Sequence, residues 1–320
     1  MSNTPYGEGQ LLTLFAIPKP FHGHFEIIQR NAIISWTHLR PRPEIILFGD
    51  DEGTAEVANQ FGLRHVPGVS RNEYGTPLLN DLFAKSQTLA THDLLCYVNA
   101  DIILMGDFME AIRRVARWKP HFLIVGQRWD IEIKEPLNFS LGWENRLRSY
   151  VVSQGQLYSP AGIDYFVFRR GFWSEIPPFA IGRTVWDNWL LYRARSRNAP
   201  VINITRVAMI VHQNHDYLDV PGGKEFKWHG PEARRNLELA AGYEHVFTLA
   251  DCTHLLTLSG LEMNLTREHL LRYLETMPVL FPRLRPLAWL TRLLSNRLRQ
   301  VLDFVIGASN PWRPRKERSH

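Results

Sequence analysis

Cysteine is almost absent from this chain. Cys96 and Cys252 are the only two cysteines among 320 residues, and their separation fits neither a disulfide framework nor a zinc knuckle. Isolated cysteines are typical of reduced thiols in a cytosolic protein. The scarcity therefore argues against a small secreted domain held together by disulfides and against a cysteine-ligated structural zinc site.

Long apolar runs are missing as well. No segment offers the roughly 18 uninterrupted apolar residues that a transmembrane helix needs. The first ten residues, MSNTPYGEGQ, lack the basic and apolar regions of a signal peptide. Sequons begin at Asn138, Asn203 and Asn264, and without an export signal we expect them to arise by chance. These absences predict a cytoplasmic protein.

Net charge is small over most of the chain but not at its end. Residues 264–320 hold 11 Lys and Arg against 4 Asp and Glu, whereas the remainder has a net charge of −2. This pattern predicts an anionic surface as partner and argues against a nucleic-acid-binding protein. Residues 263–310 read as basic amphipathic helices, which would pack on the preceding domain, form a dimer contact or lie peripherally on the inner face of the membrane. Residues 311–320 are predicted to be a disordered tail.

What is present is a regular alternation of strand and helix patterns. With 45% hydrophobic and 22% charged residues the composition is that of a folded globular protein. The alternation predicts an α/β fold, with a mostly parallel sheet flanked by helices. Strands are predicted at 11–18, 44–51, 63–69, 93–104, 121–129 and 201–215, and helices at 26–39, 53–62, 77–92, 106–118 and 185–197.

Polar residues stand at the ends of two predicted strands. Asp50 and Asp51 end the second strand, and Asn99 and Asp101 interrupt the apolar run LLCYVNADIIL. Ligands of parallel sheets sit at the carboxyl ends of the strands, so we expect these side chains to converge on one crevice. Carboxylates there could hold a divalent cation bound to a diphosphate. The alternatives are a turn cap for Asp101 and a helix cap for Asp51.

The order of these segments resembles the nucleotide-sugar glycosyltransferases of the GT-A fold, and family 2 in particular. A strand LFAIP, a strand ending FGDD and a strand ending YVNAD follow one another with helices between, and in the family a D-x-D motif follows the fourth strand. The resemblance covers residues 10–217 and implies a catalytic domain over 10–262. It implies sugar transfer from a nucleoside-diphosphate donor to a glycan, lipid or small-molecule hydroxyl, with Mn²⁺ or Mg²⁺ as cofactor.

The same resemblance implies roles on the donor side. Asp101 matches a metal ligand, and Asp50 or Asp51 matches the acidic residue that faces the nucleoside. Asn99 replaces the first Asp of the motif and would contact a ribose hydroxyl or the metal, or serve only as a turn residue. Basic residues that could bind the diphosphate are Arg71, Arg128, and Lys224 or Lys227, although solvation at the surface explains a single basic residue equally well.

Further matches fall on the acceptor side and on the metal. The helix start VWDNWLLYRAR resembles the family's "ED" motif, with Asp187 as general base of an inverting transfer and Trp186 in place of the Glu. Because of that replacement a retaining mechanism stays open, and Asp187 could instead stabilise the helix dipole. Trp186 and Trp189 could stack on sugars, and Gly162 and Asp164 fall in the acceptor-side segment, although Gly162 could serve a plain turn.

The stretch VHQNHDY offers His212, or alternatively His215, as a further metal ligand. Histidines in such a stretch are also often purely structural. The Gly-rich stretch from 220 to 236 is predicted to be a flexible lid.

Two other classes remain. A nucleotidyltransferase would need a glycine-rich signature near the first strand, where AIPKPFHGHF offers one glycine. A non-catalytic module that binds a nucleotide-sugar or a membrane headgroup is the second, and a metal-dependent release of nucleoside diphosphate would distinguish the transferase from it.

Overall fold

A computed structural model describes residues 12–118, 121–215, 223–291 and 293–298 of the chain. Within these ranges the chain forms two β-sheets. Their strands are β1 (Leu12–Ala16), β2 (Glu44–Phe48), β3 (Arg64–Val66), β4 (Leu94–Val98), β5 (Ile102–Ile103), β6 (Leu123–Val125), β7 (Trp129–Ile131), β8 (Gln156–Leu157), β9 (Tyr165–Arg169), β10 (Val201–Asn203), β11 (Val211–Gln213), β12 (His254–Leu256) and β13 (Leu261–Met263).

Helices lie between these strands along the chain, and a helix follows the last strand. Their bounds are α1 (Gly23–His38), α2 (Thr54–Gln60), α3 (Leu79–Leu89), α4 (Gly106–Ala116), α5 (Trp143–Gln154), α6 (Trp186–Ser196), α7 (Gly223–His229), α8 (Pro231–Leu239) and α9 (Arg267–Leu280).

The larger sheet has nine strands in the order β13-β12-β10-β6-β9-β4-β1-β2-β3 among the described residues. Five of its eight strand pairs are parallel; β9 runs antiparallel to both of its neighbours, and β13 runs antiparallel to β12. The predicted α/β class with a mostly parallel sheet is therefore confirmed. Because β4, β1 and β2 are adjacent and parallel, their carboxyl ends lie side by side at one edge.

The middle of this sheet is buried on both faces. Every residue of β1 and of β4 is buried, as expected for strands covered by helices on each side. On one face Phe15 and Phe83 pack edge to face with ring centroids 5.3 Å apart, and Tyr97 and Phe168 complete the aromatic layer. The close packing of these rings fixes the positions of the strands.

The smaller sheet, in the order β5-β11-β7-β8, corrects three strand predictions. The predicted strands 93–104, 121–129 and 201–215 each divide, and the first part of each joins the larger sheet while the second part joins the smaller one. An apolar run predicts that residues are buried but not in which sheet they pair. Asn99 and Asp101 lie in the first of these crossings and Arg128 in the second.

Other elements escaped prediction from the sequence. Helix α5 and the strand pair β12–β13 were not expected, and most of the predicted lid, residues 223–229 and 231–236, lies in the two helices α7 and α8. Residues 220–222 of the predicted lid lie outside the described residues.

The chain divides into two compact units between Met263 and Asn264. In the second unit α9 begins after Thr266, whose hydroxyl accepts a hydrogen bond from the backbone N–H of His269. The end of the predicted helical appendage (299–310) and the predicted disordered tail (311–320) lie outside the described residues. Among the described helices, none has both the length and the hydrophobicity that crossing a bilayer requires.

Candidate active site

A cavity of about 450 Å³ opens at the carboxyl ends of β1, β2 and β4. This volume lies within the range of small-molecule sites. Each of the three strands contributes residues to the wall: Lys19 follows β1, Asp51 follows β2, and Asn99 and Asp101 follow β4. The crevice expected from the strand order is therefore present in the fold.

Asp101, His212 and His215 form a cluster at one side of this cavity. The Oδ2 atom of Asp101 lies 3.6 Å from Nε2 of His212 and 3.2 Å from Nε2 of His215. One potential ligand atom from each residue lies within 4.8 Å of the others. The cluster joins residues more than 100 positions apart in sequence.

The register of the smaller sheet brings the cluster together. His212 on β11 pairs with Ile102 of β5, directly after Asp101, and with Asp130 of β7. The buried amide of Gln213 adds a side-chain bond, since its Nε2 donates to the carbonyl of Asp101 at 3.0 Å and to that of Ile28 at 2.7 Å. A buried amide whose oxygen and nitrogen are both hydrogen-bonded, as here, fixes the register of its strand.

The cluster fits a divalent metal ion. Oδ1 of Asp101 is buried and has no hydrogen-bond partner among the described residues, so this oxygen remains available as a ligand. Burial alone would raise the pKa of Asp101, but His212 and His215 hold that pKa well below its ordinary value. One carboxylate with two imidazoles is a donor set that suits Mn²⁺ or another first-row metal better than Mg²⁺, which prefers oxygen ligands.

Asp130 supports His212 from the side opposite Asp101. Its Oδ1 lies 3.1 Å from Nδ1 of His212 and accepts a hydrogen bond from Nε of Arg128 at 2.8 Å. Burial lowers the pKa of His212, yet Asp101 and Asp130 together raise it to about 9. This contact is an ion-pair distance without hydrogen-bond geometry, and a carboxylate beside the second nitrogen favours the orientation in which Nε2 faces the metal position.

Loss of this support should weaken metal binding. We expect Asp130→Ala to lower the affinity for Mn²⁺ by about 10- to 100-fold, the usual effect of removing an outer-sphere carboxylate. Isothermal titration with Mn²⁺ measures this, with Glu132→Gln, an exposed residue two positions along, as control. Unchanged affinity in a folded Asp130→Ala protein would contradict the assigned role of Asp130.

Asn99, two residues before Asp101, is held by hydrogen bonds to its side-chain amide. Its Nδ2 donates to Oδ1 of Asp164 at 2.7 Å, and its Oδ1 accepts from the hydroxyl of Tyr97 at 2.8 Å. Arg128 donates to the same Asp164 oxygen at 2.6 Å. Arg128 thus links Asp164 to Asp130, and its guanidinium lies 4.3 Å from the ring centroid of Tyr158.

Asp187 lies in the first turn of α6 and lines the cavity. Its Oδ1 accepts a hydrogen bond from the N–H of Asn188 at 3.0 Å. Burial, followed by the negative charge of Asp164, raises the pKa of Asp187 to about 7. Val185, two residues before Asp187, has a φ of 85°. A positive φ is costly for a β-branched residue, and such strained residues cluster at functional sites.

The two tryptophans of this helix lie in different surroundings. Trp186 lines the cavity and packs edge to face on Tyr97 with centroids 5.5 Å apart. Trp189 packs on Phe179 and is not among the residues that line the cavity.

Arg71 and Asp51 form the wall beyond β2. Arg71 donates to Oδ2 of Asp51 at 2.5 Å and to the carbonyl of Gly75 at 2.8 Å. Both Arg71 and Asp51 line the cavity, whereas Asp50 is largely exposed and does not. The N-cap of α2 is Gly53, so the side chain of Asp51 is not used as a helix cap.

A glycine is required at position 162 because the ring of Tyr158 leaves no room for a side chain. A Cβ at this position would stand 2.4 Å from ring carbons of Tyr158. The glycine therefore allows Tyr158 to sit beneath Arg128, in addition to lining the cavity itself.

Several cavity residues were not singled out from the sequence. Lys19, in the Pro-Lys-Pro segment after β1, could have been found from its place at a strand end. No local sequence pattern indicated Arg183, because its ion-pair partner Glu232 lies 49 residues away in the sequence. The Nη2 atom of Arg183 lies 2.6 Å from Oε2 of the buried Glu232. Lys227 of α7, which was singled out from the sequence, lines the cavity as well, whereas the side chain of Lys224 lies outside the described residues.

Comparisons with known proteins give distant similarities. No family model and no curated protein matches the chain. Glucosyl-3-phosphoglycerate synthase from Mycobacterium tuberculosis, crystallised with Mn²⁺, uridine diphosphate and phosphoglyceric acid, is 15% identical over 73% of this chain and 80% of its own, with a TM-score of 0.45. TarS from S. aureus is 8% identical over 38% of this chain and 36% of its own, with a TM-score of 0.31. Both TM-scores are below 0.5, so the activity has to be inferred from the cavity.

Proposed function

We propose that this protein is a metal-dependent glycosyltransferase, which moves a sugar from a nucleoside-diphosphate donor to a hydroxyl acceptor. One observation carries the proposal: a metal-type cluster and an aspartate whose pKa is raised to about 7 line the same cavity. We assign the activity to residues 10–262, with residues 263–310 as an appendage.

Asp187 is the proposed general base. A carboxylate with a pKa near the working pH can take the proton of an acceptor hydroxyl as its oxygen attacks the anomeric carbon. Direct displacement by that oxygen would invert the anomeric configuration. A divalent cation held by Asp101, His212 and His215 would stabilise the negative charge of the departing diphosphate.

The remaining cavity residues are proposed to bind the two substrates. Asp51 and Arg71 lie on the donor side beyond β2, and Arg128 and Asn99 lie next to the metal cluster. Gly162 and Trp186 line the part of the wall proposed for the acceptor, a glycan, lipid or small molecule. Asp164, expected on the acceptor side from the sequence, is hydrogen-bonded to Asn99 and acts on the pKa of Asp187, so we place it where the two substrates meet.

A donor panel tests the proposal. Purified protein is incubated with UDP-, GDP-, CDP- and dTDP-sugars, with Mn²⁺, Mg²⁺ or EDTA, and release of nucleoside diphosphate is measured. We expect turnover of one donor, greater with Mn²⁺ than with Mg²⁺ and absent with EDTA. Donor binding without turnover across a broad acceptor set would favour a binding module, and metal-independent turnover would refute the role of the cluster.

The pH dependence follows from the raised pKa of Asp187. The base must be deprotonated, so kcat/KM should fall about tenfold per unit below pH 7 and level off above it. The profile is measured at saturating Mn²⁺, with bound metal determined at each pH, because protonation of the histidines also releases metal. A flat profile from pH 5.5 to 8.5 would exclude Asp187 as the base.

The second unit is proposed to meet an anionic membrane surface. Apolar side chains are at least 40% exposed beside the exposed arginines Arg283 and Arg285, namely Phe281, Leu287, Trp289, Leu293 and Leu294. Such a combination favours an interfacial position. We expect sedimentation with phosphatidylserine vesicles but not with phosphatidylcholine vesicles, lost at about 0.5 M NaCl and weakened by Arg283→Glu with Arg285→Glu. Absence of vesicle binding would favour a self-packed helical unit.

A further inference from the structure

Asp164 is a buried carboxylate whose two oxygens have different surroundings. It directly precedes β9, is 5% exposed and lines the cavity. Oδ1 accepts hydrogen bonds from Nδ2 of Asn99 at 2.7 Å and from Arg128 at 2.6 Å. The backbone is fixed too, because the carbonyl of Asp164 accepts from the N–H of Asn99 at 2.9 Å. The carboxylate is therefore held in one orientation.

The second oxygen lacks a partner within the protein. Oδ2 of Asp164 is buried and forms no hydrogen bond with any described residue. Buried polar atoms in native proteins are nearly always paired, and a charged oxygen is costly to leave unpaired. Because Asp164 lines the cavity, a ligand bound in the cavity can supply the hydrogen-bond donor that Oδ2 lacks.

The position of Asp164 indicates which donor this is. Asn99, its hydrogen-bond partner, is two residues from the metal ligand Asp101. On the other side, the charge of Asp164 is close enough to Asp187 to raise the pKa of that base. Asp164 therefore lies near both the proposed leaving group and the proposed base, and in a glycosyl transfer the transferred sugar lies there. Sugar hydroxyls are hydrogen-bond donors of the required kind.

We propose that Oδ2 of Asp164 accepts a hydrogen bond from a hydroxyl of the transferred sugar, and so selects donors that carry a hydroxyl at that position. This inference rests on the proposed function and adds a specificity-determining residue to it. It also explains Asn99: an aspartate there would set a second carboxylate against Asp164, whereas the amide donates to it.

Asp164→Asn is a sharp test because the change is nearly isosteric. The amide oxygen can still accept from Asn99 and Arg128, but an NH₂ group replaces Oδ2 and turns the acceptor into a donor. Binding of UDP and UDP-glucose, or of the equivalent pair for the donor base found in the panel, is measured with Mn²⁺. We expect the affinity for the nucleotide-sugar to fall about 10- to 100-fold, as for a lost charged hydrogen bond, and that for the nucleoside diphosphate to stay unchanged.

Asp93→Asn is the matched control, since Asp93 also pairs with an arginine, Arg169 at 2.7 Å, but lies outside the cavity. A second measurement uses wild-type protein with monodeoxy sugar donors: one of them should bind about 10- to 100-fold more weakly than the parent donor, and Asp164→Asn should lose this discrimination. If Asp164→Asn does not fold, the wild-type comparison decides alone, and equal binding of every deoxy donor overturns the inference.

The two proposals fail in different ways. If wild-type protein binds no nucleotide-sugar, the proposed function is wrong and this inference falls with it. If wild-type protein binds the nucleotide-sugar and Asp164→Asn binds it equally well, only the inference about Asp164 is overturned.

Discussion

Asp187→Asn is expected to lower kcat by about 10²- to 10⁴-fold, the usual contribution of a general base, while the Kd of the nucleotide-sugar stays close to that of the wild type. The substitution keeps an oxygen that can accept from the N–H of Asn188. It removes the ability to take a proton. The loss should therefore fall on the chemical step, and the direct readout is single-turnover kinetics beside donor binding by titration.

The alternative role of Asp187 is stabilisation of α6 through the helix dipole. That role predicts a lower melting temperature and a normal kcat for the remaining folded enzyme. Asp81→Asn is the matched control, because Asp81 occupies the first turn of α3 outside the cavity. If Asp187→Asn and Asp81→Asn both lost stability but kept kcat, the base would have to be sought elsewhere.

Asp101→Asn should abolish metal-dependent donor binding. Direct ligands matter more than outer-sphere groups, so we expect Mn²⁺ affinity to fall by at least about 100-fold. The substitution removes the carboxylate charge between His212 and His215 but keeps the side-chain volume. Titration with Mn²⁺ alone measures the first effect, and binding of nucleoside diphosphate with and without Mn²⁺ measures the second.

The control separates the metal from the fold. Asp93→Asn should bind Mn²⁺ like the wild type, because Asp93 precedes β4, whereas Asp101 follows it, and the Asp93 carboxylate pairs with Arg169. Circular dichroism and melting temperature show whether Asp101→Asn remains folded. Full Mn²⁺ affinity in a folded Asp101→Asn protein would mean that the cluster is an ion-pair network and not a metal site.

The sequence predicted the parallel part of the fold well. Strand and helix periods alternate through the first 130 residues, and the polar residues that follow β2 and β4 indicated where the cavity would lie. These signals are local: a period of two or of 3.6 residues, and a carboxylate directly after an apolar run. Asp51 and Asp101 could be found in this way.

The contacts that complete the site could not be predicted because they join distant residues. Asp164 holds Asn99 across 65 residues and Arg128 across 36, and His212 meets Asp101 only because β11 joins the smaller sheet between β5 and β7. No period in the sequence marks the residue at which an apolar run leaves one sheet for another. Such pairings depend on tertiary register.

The three strands that pass from the larger sheet into the smaller one have a consequence for biosynthesis. Asp101 is made early, but its histidine partners follow more than 100 residues later, on or just after the last strand to cross. A nascent chain that has reached residue 200 could pair β1, β2 and β4 and still lack the imidazoles of the cluster. Metal affinity should thus arise only after β11 has been made, and Mn²⁺ binding would report formation of the smaller sheet rather than the earlier pairing of β1, β2 and β4.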